Sequence, residues 1–376
     1  MIEKLLLNFA LMLSIEFIVI GVIIHLKYPN TVHKKTLFII AISLAVITMC
    51  VNPTKYWDIF RQYESLDAIR ASGIGLADFL FNNKLRIGGS DYRSLLAYNL
   101  IRYFVVIVGN NRMLPFVMTS VTYAIWSYIT IDWVKEHQMA GNDIIISMML
   151  SGVLMPFIFV NSGLRNTTAA AIAALAIYNN LYKKHRTIEL LVLFIVAFTI
   201  HYSMVYVIVV YLLTKFCRAK IALIGLFIWT NIIPSIATLF RNSQYEVLRK
   251  MSSSFAIYTG RRGFAINYYL LGVYIVIVAL CIALLLANEK SNGTANIRSF
   301  IVMMVANAVF NFGYSEIVLR PLYTLGVMST PVLYYMCGEY KKENKSLQIM
   351  SLLCIALGLV LVLRTSLPEY LVISYC

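Results

Sequence analysis

Charge is scarce in this sequence. Only 13% of its 376 residues are charged and 60% are hydrophobic, with a mean hydropathy of +0.77. A soluble protein would carry roughly 25% charged residues, and a water-exposed fold of this composition would present far too much apolar surface. Cysteine is sparse as well. Cys50, Cys217, Cys281, Cys337, Cys354 and Cys376 are scattered, mostly inside apolar runs, at spacings that fit neither a metal site nor a disulfide framework. They read as small packing residues. Also missing are a G-x-S-x-G nucleophile motif, a carboxylate-rich metal motif, and the internal repeat expected of many transporters. No small-residue cleavage site follows the first apolar run, about residues 5–26, which is too long for a signal h-region and reads as a span. The net charge of +15 is dispersed among apolar runs, which excludes a nucleic-acid-binding face.

What is present is a succession of apolar runs parted by short charged loops. That pattern specifies an all-α polytopic membrane protein, one integral domain over residues 1–376. Clusters of Lys and Arg mark inner loops: Lys27 with Lys34 and Lys35; Lys183, Lys184 and Arg186; Lys215, Arg218 and Lys220; Lys290 and Arg298; Lys341, Lys342 and Lys345. Two of these clusters flank residues 187–214. If both are inside, that stretch goes out and returns as two short helices turning near His201; one long tilted span is the alternative. The predicted spans are 5–26, 36–52, 112–131, 143–161, 166–182, 187–200, 202–214, 221–240, 265–287, 299–313, 318–337 and 347–364, about twelve in all (roughly 10 to 13). Residues 53–111 form an outer loop that includes a re-entrant or interfacial helix at 94–108. Residues 241–264 form a second outer loop, either a substrate flap or a merely solvated loop.

In this topology every arginine except Arg186, Arg218 and Arg298 lies outside, whereas most lysines lie inside. Lys suffices as a topological charge, but Arg offers a planar fork of donors matched to phosphate or carboxylate. An anionic ligand on the outer face follows, with part of the arginines expected to pair with Asp58, Glu64, Asp67, Asp78 and Asp91. In "NSGLRN", Arg165 opens a small-residue helix whose free N–H groups also favour anions; a snorkelling interfacial arginine is the plainer reading. In "TIHYSM", His201, Tyr202 and Ser203 sit between apolar runs, where an ionisable side chain is a candidate general base or hydrogen-bond donor, or else a packed histidine. Glu316 and Arg320, four apart, share a helix face and form either an oriented ligand site or a structural pair. Arg61, Arg261 and Arg262 complete the cationic candidates.

Four segments in order, "YWDIFRQYE", "SGLRNTTAAAIAALAIYNNLYKKHR", "FTIHYSMVYVIVVYLL" and "SEIVLRPLYTLGVMSTPVLYY", resemble the EpsG-like branch of Wzy-type polysaccharide polymerases over roughly residues 50 to 340. Members of that family often show Gln beside the Arg, where this chain has Leu164 and Asn166. The resemblance implies a multi-span fold of the GT-C type in the bacterial cytoplasmic membrane, active on its outer face. It implies transfer of a growing glycan from undecaprenyl diphosphate to the free end of an incoming lipid-linked repeat unit. Donor and acceptor are both lipid-linked oligosaccharides, and a chain-length regulator and a flippase are implied partners besides the bilayer. The catalytic set would be His201 as base, with Asp58, Glu64 or Glu316 as the alternatives in that role, and Arg165 on the diphosphate. Arg320, Glu316, Arg61, Arg261, Arg262 and Tyr202 would hold the diphosphate and glycan. No cofactor or metal is expected. An O-antigen-ligase-like transferase and a lipid-linked oligosaccharide flippase are the alternatives.

Overall fold

A computed structural model of the chain describes residues 34–51, 58–81, 95–245, 248–249, 252–253, 256, 268–286, 295–311, 315–337 and 345–370. The predicted span 5–26 and most of the 241–264 loop lie outside the described residues. Within them the chain forms helices joined by turns, with no strand. They are α1 Lys34–Cys50, α2 Asp58–Ser72, α3 Leu76–Phe81, α4 Leu96–Val108, α5 Met113–Glu136, α6 Gly141–Leu154, α7 Phe157–Ser162 and α8 Leu164–Leu181. There follow α9 Thr187–Ile200, α10 Met204–Phe216, α11 Ala219–Leu239, α12 Tyr268–Leu286, α13 Ala295–Phe310, α14 Ser315–Val327, α15 Ser329–Met336 and α16 Lys345–Tyr370.

Among the described residues, α5 is the one helix long and apolar enough to cross a membrane by length and composition, and ten shorter apolar helices accompany it. The structure is therefore a largely apolar helical bundle, and about twelve full-length spans are not displayed in it. Two predicted spans are broken for local reasons. Residues 143–161 divide into α6 and α7 at Met155–Pro156, because proline lacks an N–H and drives the preceding residue out of helical geometry. Residues 318–337 divide into α14 and α15 at Met328. The two interruptions meet: a Cβ on Gly326 would come within 2.7 Å of Met155 Cβ. A glycine is required for that approach.

Helix α8 forms the middle of the bundle and packs against α5, α7, α9, α10, α13 and α14. Its sequence explains this. Ala169, Ala170, Ala171, Ala173, Ala174 and Ala176 are all buried, so neighbours approach from every side. Helix α2 has a different logic. Ile59, Gln62, Leu66 and Ile69 recur at helical spacing and are buried, which lays one face of a polar helix against α4. The polar region expected as irregular loop thus contains α2 and α3. Hydroxyls rather than apolar contacts fix the start of α15. Trp126 Nε1 donates to Ser329 Oγ at 2.9 Å, and Ser147 Oγ lies 2.8 Å from Ser329 Oγ and 2.7 Å from Thr330 Oγ1. Thr130 Oγ1 is 2.8 Å from Thr330 Oγ1. Buried polar groups satisfied across three helices hold a broken segment where no water competes.

Candidate functional site

The site lies at the N-terminal end of α8, and hydrogen bonds along α8 show how it is assembled. Near the C-terminal end of α8, Asn179 Nδ2 donates to Glu189 Oε1 in the first turn of α9 at 2.8 Å. Tyr211 Oη, late in α10, donates to Asn180 Oδ1 at 2.7 Å. At the opposite end, Ser203 Oγ donates to Asn166 Oδ1 at 3.1 Å. Helices α9 and α10 are therefore a hairpin lying along α8, with residues 201–203 as its tip beside Arg165. At 1.5 Å per residue the two arms measure roughly 21 and 20 Å, short of the roughly 30 Å of a hydrocarbon core. Such a tip sits below the far surface, where a polar turn needs protein around it.

Around Arg165 four side chains close a ring. Its guanidinium donates to Asp58 Oδ2 at 2.9 Å and lies 5.4 Å over the Tyr98 ring. Tyr98 Oη donates to Gln62 Oε1 at 2.6 Å, and Gln62 Nε2 donates back to Asp58 Oδ2 at 3.4 Å. Asp58 and Gln62 are one turn apart on α2, Tyr98 comes from α4 and Arg165 from α8, so three separate elements converge. The buried Tyr98 ring is shared: Arg102 stands 5.7 Å from its centroid. Arg102, also buried, donates to Ser65 Oγ and, at 3.3 Å, to Asn99 Oδ1. The electron-rich ring attracts both guanidiniums. Arg165 keeps 15% of its side-chain surface exposed and Asp58 keeps 37%, so the pair is reachable by a ligand.

His201 and Arg320 belong to the same neighbourhood. The charges of Arg165 and Arg320 both bear on the His201 ring. Arg320 is buried on α14, which packs along α8. The backbone N–H of Ser203 donates to His201 Nδ1 at 3.1 Å. An Nδ1 that accepts must carry no proton, so the neutral ring holds its proton on Nε2 and presents a donor there. This assignment follows from the bond itself. It favours the hydrogen-bond-donor reading of His201 over the base reading. Tyr202 is buried with its ring 5.3 Å from Phe198, facing the hairpin packing.

Other expected residues are not gathered here. Arg61 is exposed on α2. Glu316 lies in the first turn of α14, but its side chain is outside the described residues, as are Arg261 and Arg262 entirely. Arg70 is held by Asp67 at 2.8 Å and by Asn111 Oδ1 at 2.8 Å, which matches the expectation that some arginines pair with loop carboxylates. Asn166 stands in the sequence as the residue beside Arg165, whereas Gln62 and Tyr98 are not among the residues the sequence points to. For Gln62 a signal existed: it stands four residues after Asp58 in "DIFRQYE", on the same helix face. Tyr98 gave none, because tyrosine is common throughout this chain. Among the described residues no group of three or more His, Cys, Asp or Glu side chains converges on a metal-sized site.

The other end of α8 is built differently. Lys183 contacts Asp132 Oδ2 at 2.6 Å and Glu136 Oε2 at 2.7 Å, and Tyr178 Oη donates to Asp132 Oδ2 at 2.6 Å. Burial pulls the Lys183 ammonium down, but the two carboxylates outweigh it and hold its pKa above the ordinary value. Comparison with known proteins adds a family. The model described as EpsG family matches residues 54–375, most of the chain. No curated protein and no solved structure matches.

Proposed function

The chain belongs to the EpsG family, and from that premise we propose that it polymerises oligosaccharide repeat units carried on undecaprenyl diphosphate at the outer face of the bacterial cytoplasmic membrane. Membership makes it a membrane protein of polysaccharide biosynthesis. The observation that carries the finer reading is the partly exposed Arg165–Asp58 pair, with the charges of Arg165 and Arg320 both acting on His201.

The reaction needs what that set offers. The bond between the sugar anomeric carbon and the phosphate oxygen breaks, and the electron pair leaves with the lipid diphosphate. Arg165, Arg320 and the Nε2–H of His201 would stabilise the charge developing there. The hydroxyl of the incoming unit forms the new glycosidic bond and gives its proton to a base. Asp58 is the better placed base, since His201 is turned into a donor. Asp58 is tied to Arg165. A diphosphate that takes over the guanidinium would free the Asp58 carboxylate to accept the proton when the donor is bound. The arginine and aspartate then act in sequence, not independently.

The test uses purified protein in nanodiscs with one synthetic undecaprenyl-diphosphate-linked repeat unit, products being resolved by size. A ladder of oligomers that disappears in Arg165→Ala is expected. Folded protein that makes no ladder from its native repeat unit would overturn the polymerase reading. Transfer of a single glycan to a different acceptor would favour a ligase instead.

A further inference from the structure

A second anion site is built at the opposite end of α8. A cavity of about 250 Å³ lies between the C-terminal ends of α8 and α10 and the start of α13, lined by Asn180, Lys184, His185, Thr214, Lys215 and Asn296 with Leu181. It is smaller than the roughly 300 Å³ at which drug-sized ligand sites begin, yet holds several times the roughly 30 Å³ of a water. That suits a phosphoryl group with part of its solvent.

Two cations face this space without a carboxylate among the described residues. Lys215 Nζ donates to Asn180 Oδ1 and to Tyr211 Oη, both at 2.8 Å and both neutral. Lys184 makes no ion pair among the described residues. The nearby carboxylates are committed elsewhere: Asp132 and Glu136 to Lys183, and Glu189 to His185 at 3.0 Å. Lys184 is also held in the left-handed region at φ 56°, a conformation that glycine adopts freely and lysine rarely does. Asn180 Nδ2 donating to His185 O and His185 N donating to Asn179 O fix that turn. The turn therefore carries a lysine where glycine would be the unstrained residue, and that lysine lines the cavity.

We infer that this cavity binds a phosphate-bearing ligand through Lys184 and Lys215. The side-chain amides of Asn180 and Asn296 supply neutral hydrogen bonds around it. The phosphate has two possible sources, an anionic phospholipid headgroup or a soluble phosphate; basic pockets between membrane helices bind lipid headgroups in this way. The inference stands apart from the proposed catalysis, because no lining residue belongs to the Arg165 site.

The experiment has two arms, each with wild-type protein, Lys184→Gly, Lys215→Met and the double variant. Lys184→Gly removes the charge while easing the turn. Lys215→Met keeps the stem and leaves the Tyr211–Asn180 bond intact. In the first arm, native mass spectrometry counts phosphatidylglycerol and phosphatidylcholine retained from micelles containing equal amounts of each. In the second, inorganic pyrophosphate is titrated calorimetrically into protein in phosphatidylcholine nanodiscs. Wild-type protein is expected to prefer the anion in at least one arm, each single variant weakening it roughly five- to tenfold. The arm that responds identifies the source. Equal retention and equal titration by wild-type and double variant, both eluting as folded protein, would overturn the site.

Discussion

The two ends of α8 handle positive charge in opposite ways. At its C-terminal end Lys183 is gripped by both Asp132 and Glu136 and roofed by tyrosines. At its N-terminal end Arg165 pairs with the Asp58 carboxylate, and the charges of Arg165 and of a second guanidinium, Arg320, both act on the His201 ring. Both arrangements are partly buried, so burial alone does not separate them. The difference lies in reach. Two carboxylates on one ammonium leave nothing for a ligand to do. The Asp58 carboxylate, 37% exposed and held by Gln62, is a counter-ion that an incoming anion can reach.

The sharpest way to break that comparison is to remove the cation at each end. Arg165→Ala is expected to lower ladder formation by roughly 10² to 10³, the usual cost of losing a preorganised charge stabiliser. Arg165→Lys is expected to recover little, because a point charge does not reproduce the fork that spans Asp58 and a phosphate. Lys183→Ala is expected to leave the rate within about threefold at equal protein level, since no reacting charge develops beside it. Rates are compared in the nanodisc ladder assay, with insertion checked by membrane yield. Similar losses at both ends would show that α8 matters only as a scaffold.

Asp58→Asn sharpens the comparison further. The amide keeps the shape but neither balances Arg165 nor accepts a proton, so turnover should fall by roughly 10². If Asp58 merely positions Arg165, binding of a non-reactive lipid diphosphate analogue should weaken in the variant. If the diphosphate displaces Asp58, that binding should hold or tighten slightly. Fluorescence titration with the analogue separates the two, and weaker binding would remove the displacement step.

At the lysine end the expected effect is on stability. Lys183→Ala leaves Asp132 and Glu136 facing each other without a cation, and surface-type ion pairs contribute about 0.2–1 kcal/mol each. A loss of about 1 kcal/mol is expected in a detergent thermal melt, partly restored by adding Glu136→Gln. No restoration would mean that the lysine acts through packing alone.

How far this contrast could be read from the residues depends on which signal carried it. The basic cluster at 183–186 announced itself by charge density, and the lone arginine by sitting at the mouth of an alanine-rich helix. His201 was visible as an ionisable residue between apolar runs. Its tautomer was not, because that depends on a backbone N–H two residues on. Asp58 was visible only as one of several carboxylates in a polar stretch. Its choice as partner of Arg165 rests on a contact across more than a hundred residues, which no local pattern encodes. The helix α2 that delivers it was read as loop, since an amphipathic helix lying against the bundle lacks the apolar length by which spans are found. The breaks at Pro156 and Met328 differ in the same sense: proline marks the first, whereas tertiary packing and a hydroxyl network hold the second.

The smallest predicted effect comes from pH at the lysine end. His137 follows α5 directly, with its ring centroid 4.3 Å from that of Trp133 and its Nε2 2.9 Å from Tyr182 Oη. Burial lowers its pKa below the ordinary 6.5, with Lys183 adding to the decrease and Glu136 opposing it. The folded chain therefore binds this proton less readily than the unfolded one. Between the two values the unfolded state carries more protons, so stability rises with pH across that window. It is at its full value above about 6.5, falls as the pH drops toward the lowered value, and levels off below it. Thermal melts of wild-type and His137→Phe protein between pH 7.5 and 5 (about a unit either side of the ordinary value) should diverge on the acid side, the variant losing less.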